Sequence, residues 1–523
     1  MAHRTSVSIA VDAGTTGVRA LVVDERARVV DIAYRELTQH FPRPGWVEHD
    51  ADEIWRSVRE TLDEVAGRLA DDGRVARAIG VANQRETVVA WDRGTGELLH
   101  RALVWQDKRT ADRCAAMVAD GHLPLVREQT GLVLDPYFSA SKMQWLLEEG
   151  GVSVGPGLAL STVDTWLLWN LTGGVHGGVF ATDVTNASRT MLFDIVVRRW
   201  SAELCDLFRV PMSALADVGP SCGRFGTVAS DVLGASSPLA GVPVSAMVGD
   251  QHAALFGQAC FDRGMTKATF GTGSFILMNV GDTCPEPVDG LLTTLAWDLG
   301  TEGDVAIGAD GGPRDGRSSL AYAVEGSVFV AGAGVQWLRD GLGIIEESAD
   351  LEPLARSVES SEGVVIVPAF TGLGSPHWDP AARGTITGLS RGTGRPHLAR
   401  AMIEAMGFQV RDVLEAMGAT GTSPSVVRVD GGAAVMGLLL QHLADQARLD
   451  VVRPVSVETT ALGAATMAGL AEGVWGSLDD LTGLWEVDAS FTPQADDAVV
   501  TAAHASWSRS VDRSRGWVRG SPD

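Results

Sequence analysis

Asp250, near the midpoint of the chain, stands where a carboxylate can act as a general base. The apolar run 242–248 before it predicts a strand, and the alanines and leucine after it predict a helix. A residue between such a strand and helix lies where α/β proteins place their ligands, and a carboxylate there can accept a proton from a bound hydroxyl. Aspartate at a helix start is more often an N-cap. This residue alone therefore leaves both roles open.

Two turns rich in glycine and hydroxyl groups are candidate phosphate-binding loops. The first is Asp12-Ala13-Gly14-Thr15-Thr16-Gly17 and the second is Gly271-Thr272-Gly273-Ser274. Backbone amides of such turns can approach a polyphosphate, and the carboxylate of Asp12 can reach a hydrated Mg²⁺ ion. An ordinary hairpin turn explains the first sequence equally well. The strands predicted around the two turns are 6–11, 18–23 and 29–34, then 267–270 and 275–279.

A third polar group follows the predicted strand 78–83, where Arg85 and Glu86 are adjacent. A solvated ion pair explains such neighbours without any function. Trp105 offers an apolar wall, although core packing is the commoner role of a tryptophan. Tyr137 lies in a predicted turn that can present its hydroxyl group. Taken singly, each of these residues has a structural explanation as good as the chemical one.

Several motifs together resemble one family. The pattern Asp12-x-Gly14-Thr15-Thr16-x-x-Arg19 is similar to the first phosphate motif of the sugar-kinase, Hsp70 and actin superfamily. Residues 44–50 and 83–87 resemble the glycerol kinases, within the FGGY family of carbohydrate kinases. Further matches run in unbroken order from about residue 6 to about residue 475.

The resemblance implies a fold, an activity and a set of partners. The fold is α/β, with two actin-like (ribonuclease H-like) domains, residues 1–254 and 255–523, and an active-site cleft between them. The implied reaction is ATP-dependent phosphorylation of glycerol to sn-glycerol 3-phosphate, with Mg²⁺ as cofactor and Asp250 as base. A homodimer or homotetramer is also implied. The alternatives are an FGGY kinase for another small polyol or ketose, and a non-catalytic, nucleotide-switched actin-like module.

The same resemblance implies roles for single residues. A polyol needs fixed donors and a fixed acceptor, which an arginine and a glutamate supply. The implied glycerol pocket consists of Arg85, Glu86, Trp105, Tyr137, Asp250, Gln251 and Phe275. The implied nucleotide site consists of Thr15, Thr16, Gly17, Arg19, Thr272, Gly273, Gly332, Gln336, Gly432 and Met436, with Asp12 near the metal.

The chain departs from the family pattern at three positions. Ala13 stands where many glycerol kinases have glutamine, and Gly17 stands where they often have serine. Met436 stands where they usually have asparagine near the adenine. A thioether can only pack against the ring, so we expect stacking and backbone contacts to hold the adenine.

Composition argues against several other classes. The length of 523 residues predicts two domains of roughly 250 residues each. A net charge of −24 argues against a nucleic-acid or anionic-membrane partner. The five cysteines show no metal spacing or pairing pattern, and no signal segment or long apolar run is present, so we expect a cytoplasmic protein. The chain contains neither a P-loop motif nor a GxGxxG motif.

Two segments require separate interpretation. Gly219-Pro220-Ser221-Cys222-Gly223 fits the serine-hydrolase pattern GxSxG, but that motif needs a helix after it and the residues that follow predict a strand. We therefore reject it. Residues 298–321 contain six glycines and seven charged residues, a composition that predicts an exposed, dispensable surface loop.

Overall fold

The computed structural model describes residues 5–300 and 319–518, which fold around two large β-sheets. The elements of the first half are β1 (Ser6–Ala13), β2 (Gly17–Asp24), β3 (Val29–Glu36), β4 (Glu48–His49), α1 (Ala51–Asp72), β5 (Val75–Asn83), β6 (Val88–Asp92), β7 (Ala102–Leu103), α2 (Ala111–Ala119), α3 (Leu123–Thr130), α4 (Ser139–Glu148), β8 (Leu158–Thr162), α5 (Val163–Leu171), β9 (Ala181–Asp183), α6 (Val184–Ala187), β10 (Phe193–Asp194), β11 (Arg199–Trp200), α7 (Ala202–Leu207), β12 (Asp217–Gly219), β13 (Cys222–Thr227), β14 (Pro243–Gly249) and α8 (Asp250–Gly257).

The second half repeats the arrangement of strands and helices. Its elements are β15 (Met265–Phe270), β16 (Ser274–Gly281), β17 (Leu292–Asp298), β18 (Leu320–Val328), α9 (Gly332–Gln336), α10 (Leu351–Ala355), β19 (Val365–Val367), β20 (Thr385–Thr387), α11 (Arg395–Gly418), β21 (Val426–Asp430), α12 (Gly437–Ala447), β22 (Val451–Pro454), α13 (Thr459–Ala471), α14 (Leu478–Leu484), β23 (Val487–Phe491) and α15 (Asp497–Ser514).

The two sheets share one topology. The first has the order β13-β14-β5-β1-β2-β3, and the second has the order β17-β18-β16-β15-β21-β22-β23. In the first sheet β1, β2 and β3 form an antiparallel meander, while β5 and β14 extend it in parallel. In the second, β15, β16 and β18 form the meander, and β21 and β22 are the parallel strands. This duplication confirms the predicted actin-like, ribonuclease H-like fold.

The pattern of apolar residues explains why these strands are central. Every residue of β1 after Ser6 is buried, as expected for a strand with both faces covered. The helix α1 covers one face, and its apolar residues recur at helical spacing from Ile54 to Leu69. The side chain of Asp50 caps its first turn, and Gly73, at φ 67°, ends it in the left-handed conformation.

Two helices lie between the sheets and join the halves. A buried cluster combines residues of α8 and α13 with apolar residues from both sheets. The two helices cross with their backbones in contact, since a Cβ atom at Gly463 would lie 1.8 Å from the carbonyl oxygen of Ala253. A Cβ atom at Gly257 would lie 2.0 Å from the carbonyl oxygen of Thr459. Glycine is therefore required at both crossing points. The predicted boundary between residues 254 and 255 falls inside α8.

Two sequence predictions can be compared with the structure at this level. The segment 298–321 is not a loop throughout, because Asp298 ends β17 and Leu320 begins β18. Its central part, 301–318, lies outside the described residues. The rejected GxSxG motif is confirmed as structural, because Ser221 is buried and donates to Asp183 Oδ2 at 2.6 Å. Among the described residues no helix is long and apolar enough to cross a membrane.

Candidate active site

Asp250 directly follows the carboxyl end of β14 and is the first residue of α8. Its side chain faces the cleft. Gly249, not Asp250, occupies the N-cap position of that helix. Oδ1 of Asp250 accepts a hydrogen bond from the backbone N–H of Gln251 at 2.6 Å and lies 3.3 Å from Nε of Arg85. Burial raises the pKa of Asp250, Arg85 opposes the rise, and nearby Asp12 adds to it. The side chain stays 28% exposed. A partly desolvated but accessible carboxylate is well suited to accept a proton.

Arg85 and Glu86 follow β5 and are both buried, but they do not form the solvated pair that the sequence allowed. Their closest approach is 3.8 Å. Arg85 instead donates to the two carboxylate oxygens of Glu325 at 2.5 and 3.2 Å. Glu86 accepts from Nε of Arg189 at 2.7 Å, and Nη2 of Arg189 also reaches Glu325 at 3.0 Å. Two arginines and two glutamates thus form one buried network with no net charge.

Three aromatic rings and a threonine line the cleft beside this network. Trp105 lies edge-on to Tyr137 and to Phe275, with ring centroids 5.6 and 6.3 Å apart. Its indole N–H donates to Oγ1 of Thr15 at 2.9 Å, which fixes the tryptophan against the first phosphate turn. The hydroxyl of Tyr137 accepts from Arg85 at 3.3 Å. Phe275 comes from β16, so the predicted pocket draws its walls from both halves of the chain.

Two buried lysines support this pocket, and sequence reasoning assigned neither. Nζ of Lys142 donates to the carbonyl oxygens of Pro136, Tyr137 and Phe138 at 2.8, 2.8 and 2.9 Å, and so fixes the turn that presents Tyr137.

Lys267 supports the opposite side of the pocket. It donates to Oε1 of Gln251 and, at 2.9 Å, to Oγ1 of Thr269. Burial lowers the pKa of Lys267 to about 8, and the carboxylate of Asp430 opposes that shift. The contact leaves the amide nitrogen of Gln251 as the group that can donate to a ligand.

Both predicted phosphate turns are held by backbone hydrogen bonds, and their glycines lie in close contact with neighbouring atoms. In the first, the N–H of Gly14 donates to Gly17 O at 3.0 Å. A Cβ atom at Gly17 would lie 2.3 Å from the ring of Tyr34, which accounts for glycine there. In the second, Gly332 N–H donates to Gly271 O at 2.9 Å, and Thr272 O accepts from the residues on either side of Gly332. Thr272 and Gly332 are therefore adjacent, as the sequence predicted.

Asp12 and Arg19 form an ion pair at the first turn. Nη2 of Arg19 contacts Oδ2 of Asp12 at 2.7 Å, and Nη1 contacts Glu458 at 2.6 Å. Within the described residues, Oδ1 of Asp12 forms no hydrogen bond, so that oxygen is free to hold a metal-bound water. Burial raises the pKa of Asp12, and Arg19 opposes the rise. A carboxylate with one free oxygen fits the hard, oxygen-seeking Mg²⁺ ion.

The residues predicted around the adenosine are less uniform. Gly432 faces open space, since a Cβ there would meet no atom within 4 Å, and Gln336 is exposed at the end of α9. Met436, in contrast, is 7% exposed and belongs to the core of the second half. Its neighbour Val435 is 69% exposed. The adenine contact of Met436 stays a prediction, and the structure shows that most of this side chain packs into the core.

Sequence signals for the missed residues were present but weak. Arg189 lies in the segment 182–190, where packing residues outnumber titratable ones, a composition that predicts scaffold and no chemical role. Glu325 is a single acidic residue in the otherwise apolar run 320–328, and a lone charge in a buried strand needs a partner. The partner could not be named, because Arg85 is 240 residues away in the chain.

Comparison with known proteins gives consistent results over nearly the whole chain. Residues 7–257 match the N-terminal domain of the FGGY family of carbohydrate kinases, and residues 266–472 match its C-terminal domain. The chain is 48% identical over 516 residues to a glycerol kinase of Bordetella parapertussis, covering 98% of this chain and 97% of that one. It is 46% identical over 520 residues to a glycerol kinase of Chromobacterium violaceum, covering 98% of each.

Solved structures agree with the sequence relatives. The crystal structure of Plasmodium falciparum glycerol kinase with ADP superposes with a TM-score of 0.88 at 32% identity, over 98% of both chains. A xylulose kinase from Rhodospirillum rubrum superposes with a TM-score of 0.82 at 23% identity, over 96% of this chain and 98% of that one. The second likeness shows a shared fold and nothing finer.

Proposed function

The chain belongs to the FGGY family of carbohydrate kinases, and from that premise we propose that it transfers the γ-phosphoryl group of ATP to glycerol, giving sn-glycerol 3-phosphate. The observation that carries the proposal is the polyol pocket. Six of the seven predicted pocket residues are linked by the contacts described above, and the seventh, Gln251, follows Asp250 in α8. Relatives named glycerol kinase are 46–48% identical over 98% of the chain. A pocket of this kind offers donors, acceptors and an apolar wall, which together suit a small polyol.

Asp250 is the proposed general base of the transfer. It accepts the proton of the attacking hydroxyl as that oxygen bonds to the γ-phosphorus and the bond from phosphorus to ADP breaks. Phosphoryl transfer asks chiefly for alignment and charge stabilisation. Arg85 and Gln251 hold the polyol, while Trp105 and Phe275 exclude water from one side of it.

The nucleotide is held by backbone more than by side chains in this proposal. The turns at Thr15–Gly17 and Thr272–Gly273 receive the phosphates, and Gly332 and Gly432 leave bare backbone for the adenosine. Arg19 must leave its pairing with Asp12 and Glu458 to contact a phosphate. Mg²⁺, when bound near Asp12, neutralises phosphate charge.

Three further features belong to the proposal. We assign the chain a cytoplasmic location. We also assign it a homodimeric or homotetrameric state, and light scattering after gel filtration measures that oligomeric state directly. The domain division at residues 254/255 places the polyol pocket largely in the first domain and the adenosine site in the second.

A coupled ADP-release assay over a panel of substrates tests the function. Glycerol, a tetritol, D-xylulose and gluconate are compared by kcat/KM with ATP. We expect kcat/KM for glycerol to exceed that for each of the others by at least about tenfold. One extra or missing methylene unit of the substrate in a fitted pocket changes the transition-state free energy by about 1–3 kcal/mol. A preference for a ketose would assign the chain to another branch of the family. ADP release that ignores every polyol would support the nucleotide-switched module.

A further inference from the structure

Glu325 is a buried carboxylate that connects the two halves of the molecule. It lies in the middle of β18, in the second sheet, and is fully inaccessible to solvent. Its two oxygens accept hydrogen bonds from Arg85 and Arg189, both of which belong to the first half. The guanidinium proposed to hold the polyol is thus oriented by a residue of the opposite domain.

The charge of Glu325 is maintained by those arginines. Burial alone would raise its pKa, but Arg189 and Arg85 together hold that pKa well below the usual range. The two guanidiniums therefore favour the ionised carboxylate. Removing its charge takes one of the three carboxylates, Glu86, Asp250 and Glu325, away from two buried guanidiniums, which is costly because those guanidiniums are shielded from solvent.

The strand that carries Glu325 also reaches the nucleotide site. In the register of the second sheet, Ser327 pairs with Phe275 and Val328 pairs with Ser274, at the end of the second phosphate turn. A Cβ atom at Gly273 would lie 2.3 Å from the carbonyl oxygen of Val328, so the turn rests directly on the end of β18.

We propose that Glu325 is a positioning residue that couples the polyol pocket to the nucleotide site. The inference rests on the proposed function, because it takes Arg85 as a polyol ligand. When Glu325 holds Arg85, the second sheet is docked against the polyol pocket and the phosphate turn at the end of β18 is in place. A bound polyol stabilises that docked arrangement, so it raises nucleotide affinity, and by linkage the nucleotide raises polyol affinity by the same factor.

Calorimetric binding of a non-hydrolysable ATP analogue, with and without saturating glycerol, tests the coupling. In the wild-type protein we expect glycerol to tighten analogue binding at least fivefold. In Glu325→Gln we expect that factor to fall below twofold. Asp412→Asn is the matched control, since Asp412 also accepts hydrogen bonds from two side chains, His504 and Trp507, but lies away from the cleft. The control should keep the wild-type factor.

A double variant separates positioning from charge balance. Arg189→Gln with Glu325→Gln removes one positive and one negative charge, so the charge balance of the network is kept, but Arg85 loses its contact with the second half of the chain. We expect it to be folded and still uncoupled. Coupling that persists in Glu325→Gln, or that returns in the double variant, overturns the proposal. A wild-type protein that binds no glycerol in a parallel titration with glycerol as the ligand would instead overturn the proposed function, and the two failures are distinguishable.

Discussion

At the scale of single residues, the pocket depends on charges that cancel in pairs. Arg85 and Arg189 are balanced by Glu86 and Glu325 inside the protein. Asp250 adds one further negative charge at the edge of that network, where a hydroxyl group can reach it. In the proposed transfer, protonation of Asp250 would leave the surroundings more positive at the moment when phosphoryl oxygens approach. Such a preorganised site stabilises developing negative charge.

Asp250→Asn should lower kcat by about 10²–10⁴, the usual contribution of a general base, while glycerol affinity is largely kept. Asparagine has nearly the same shape, so the pocket should survive. Steady-state kinetics beside Asp217→Asn, an exposed substitution of the same type, measures this effect. If kcat of Asp250→Asn stays within about threefold, this residue is not the base.

The pH profile provides a second test of Asp250. Because burial raises its pKa, and a base must be ionised to work, kcat/KM should rise with pH through that raised value and then level off. The acidic limb should lie above the value of about 3.9 of an exposed aspartate. In Asp250→Asn the residual activity should lose that limb. An identical limb in both proteins would assign it to another group.

Arg85→Ala should act mainly through KM for glycerol, because it removes substrate contacts. The residue that loses its partner is Glu325, not Glu86 as the sequence had suggested. A loss of about 2–4 kcal/mol in kcat/KM is expected for one side of a buried charged network. Arg77→Ala, an exposed change on the same strand, is the control. An unchanged KM would place the polyol elsewhere.

Met436→Asn tests whether Met436 acts in the core or at the adenine. Since Met436 packs in the core, an asparagine there buries an amide without a designed partner and should lower the free energy of unfolding by about 1–3 kcal/mol. The ratio of kcat/KM for ATP to that for GTP should change by less than about twofold. Chemical denaturation and nucleotide kinetics measure the two effects. Unchanged stability with altered base preference would support the sequence interpretation.

The residues that sequence could identify were those carried by short motifs. A strand end precedes each of Asp250, Arg85 and the two glycine turns. Strand ends can be predicted from the local pattern of apolar and turn-forming residues. Glu325, Lys142 and Lys267 could not be assigned, because their partners depend on how distant strands pair. The inward turn of Met436 was also unpredictable, since one residue of rotation decides whether a side chain at a helix start faces core or ligand.

At the scale of elements, β17 and β18 form a hairpin whose ends are already aligned. Asp298 pairs with Leu320 in antiparallel register, so the strands can be joined by a tight turn. Replacing residues 301–318 by such a turn should leave kcat and KM within about twofold, because loop length affects closure entropy only by about 0.6 kcal/mol per doubling. Steady-state kinetics and thermal unfolding of the shortened protein, compared with those of the full chain, check this prediction. Loss of folding or of all activity would show that the segment is functional.

Element order was the most predictable part of the fold. The meander of the first half follows from alternating strands and glycine turns, and it was predicted with its bounds nearly correct. In the second half β15 and β16 were predicted, but β18 was not. The crossing of α8 and α13 was not predictable, although each helix contains a glycine at the crossing point. Gly257 and Gly463 lie in helices where glycine is otherwise unfavourable, and only the packed structure shows which backbones they admit.

At the scale of the whole molecule, two copies of one topology enclose a site that neither half completes. The first half supplies Asp250, Arg85 and Tyr137, and the second supplies Phe275 and Glu325. The helices α8 and α13 hold the halves together through the cluster between the sheets. Closure of such a cleft would exclude water as a competing acceptor.

Product analysis by ³¹P NMR is the most direct test of the account. Purified protein is mixed with ATP, Mg²⁺ and excess glycerol, and the phosphorus resonances are followed until ATP is consumed. We predict that each ATP lost yields one ADP and one glycerol 3-phosphate, with inorganic phosphate a minor product, and that Asp250→Asn forms the same product far more slowly. ATP conversion to inorganic phosphate without a phosphoester, or no consumption of ATP at all, would contradict it.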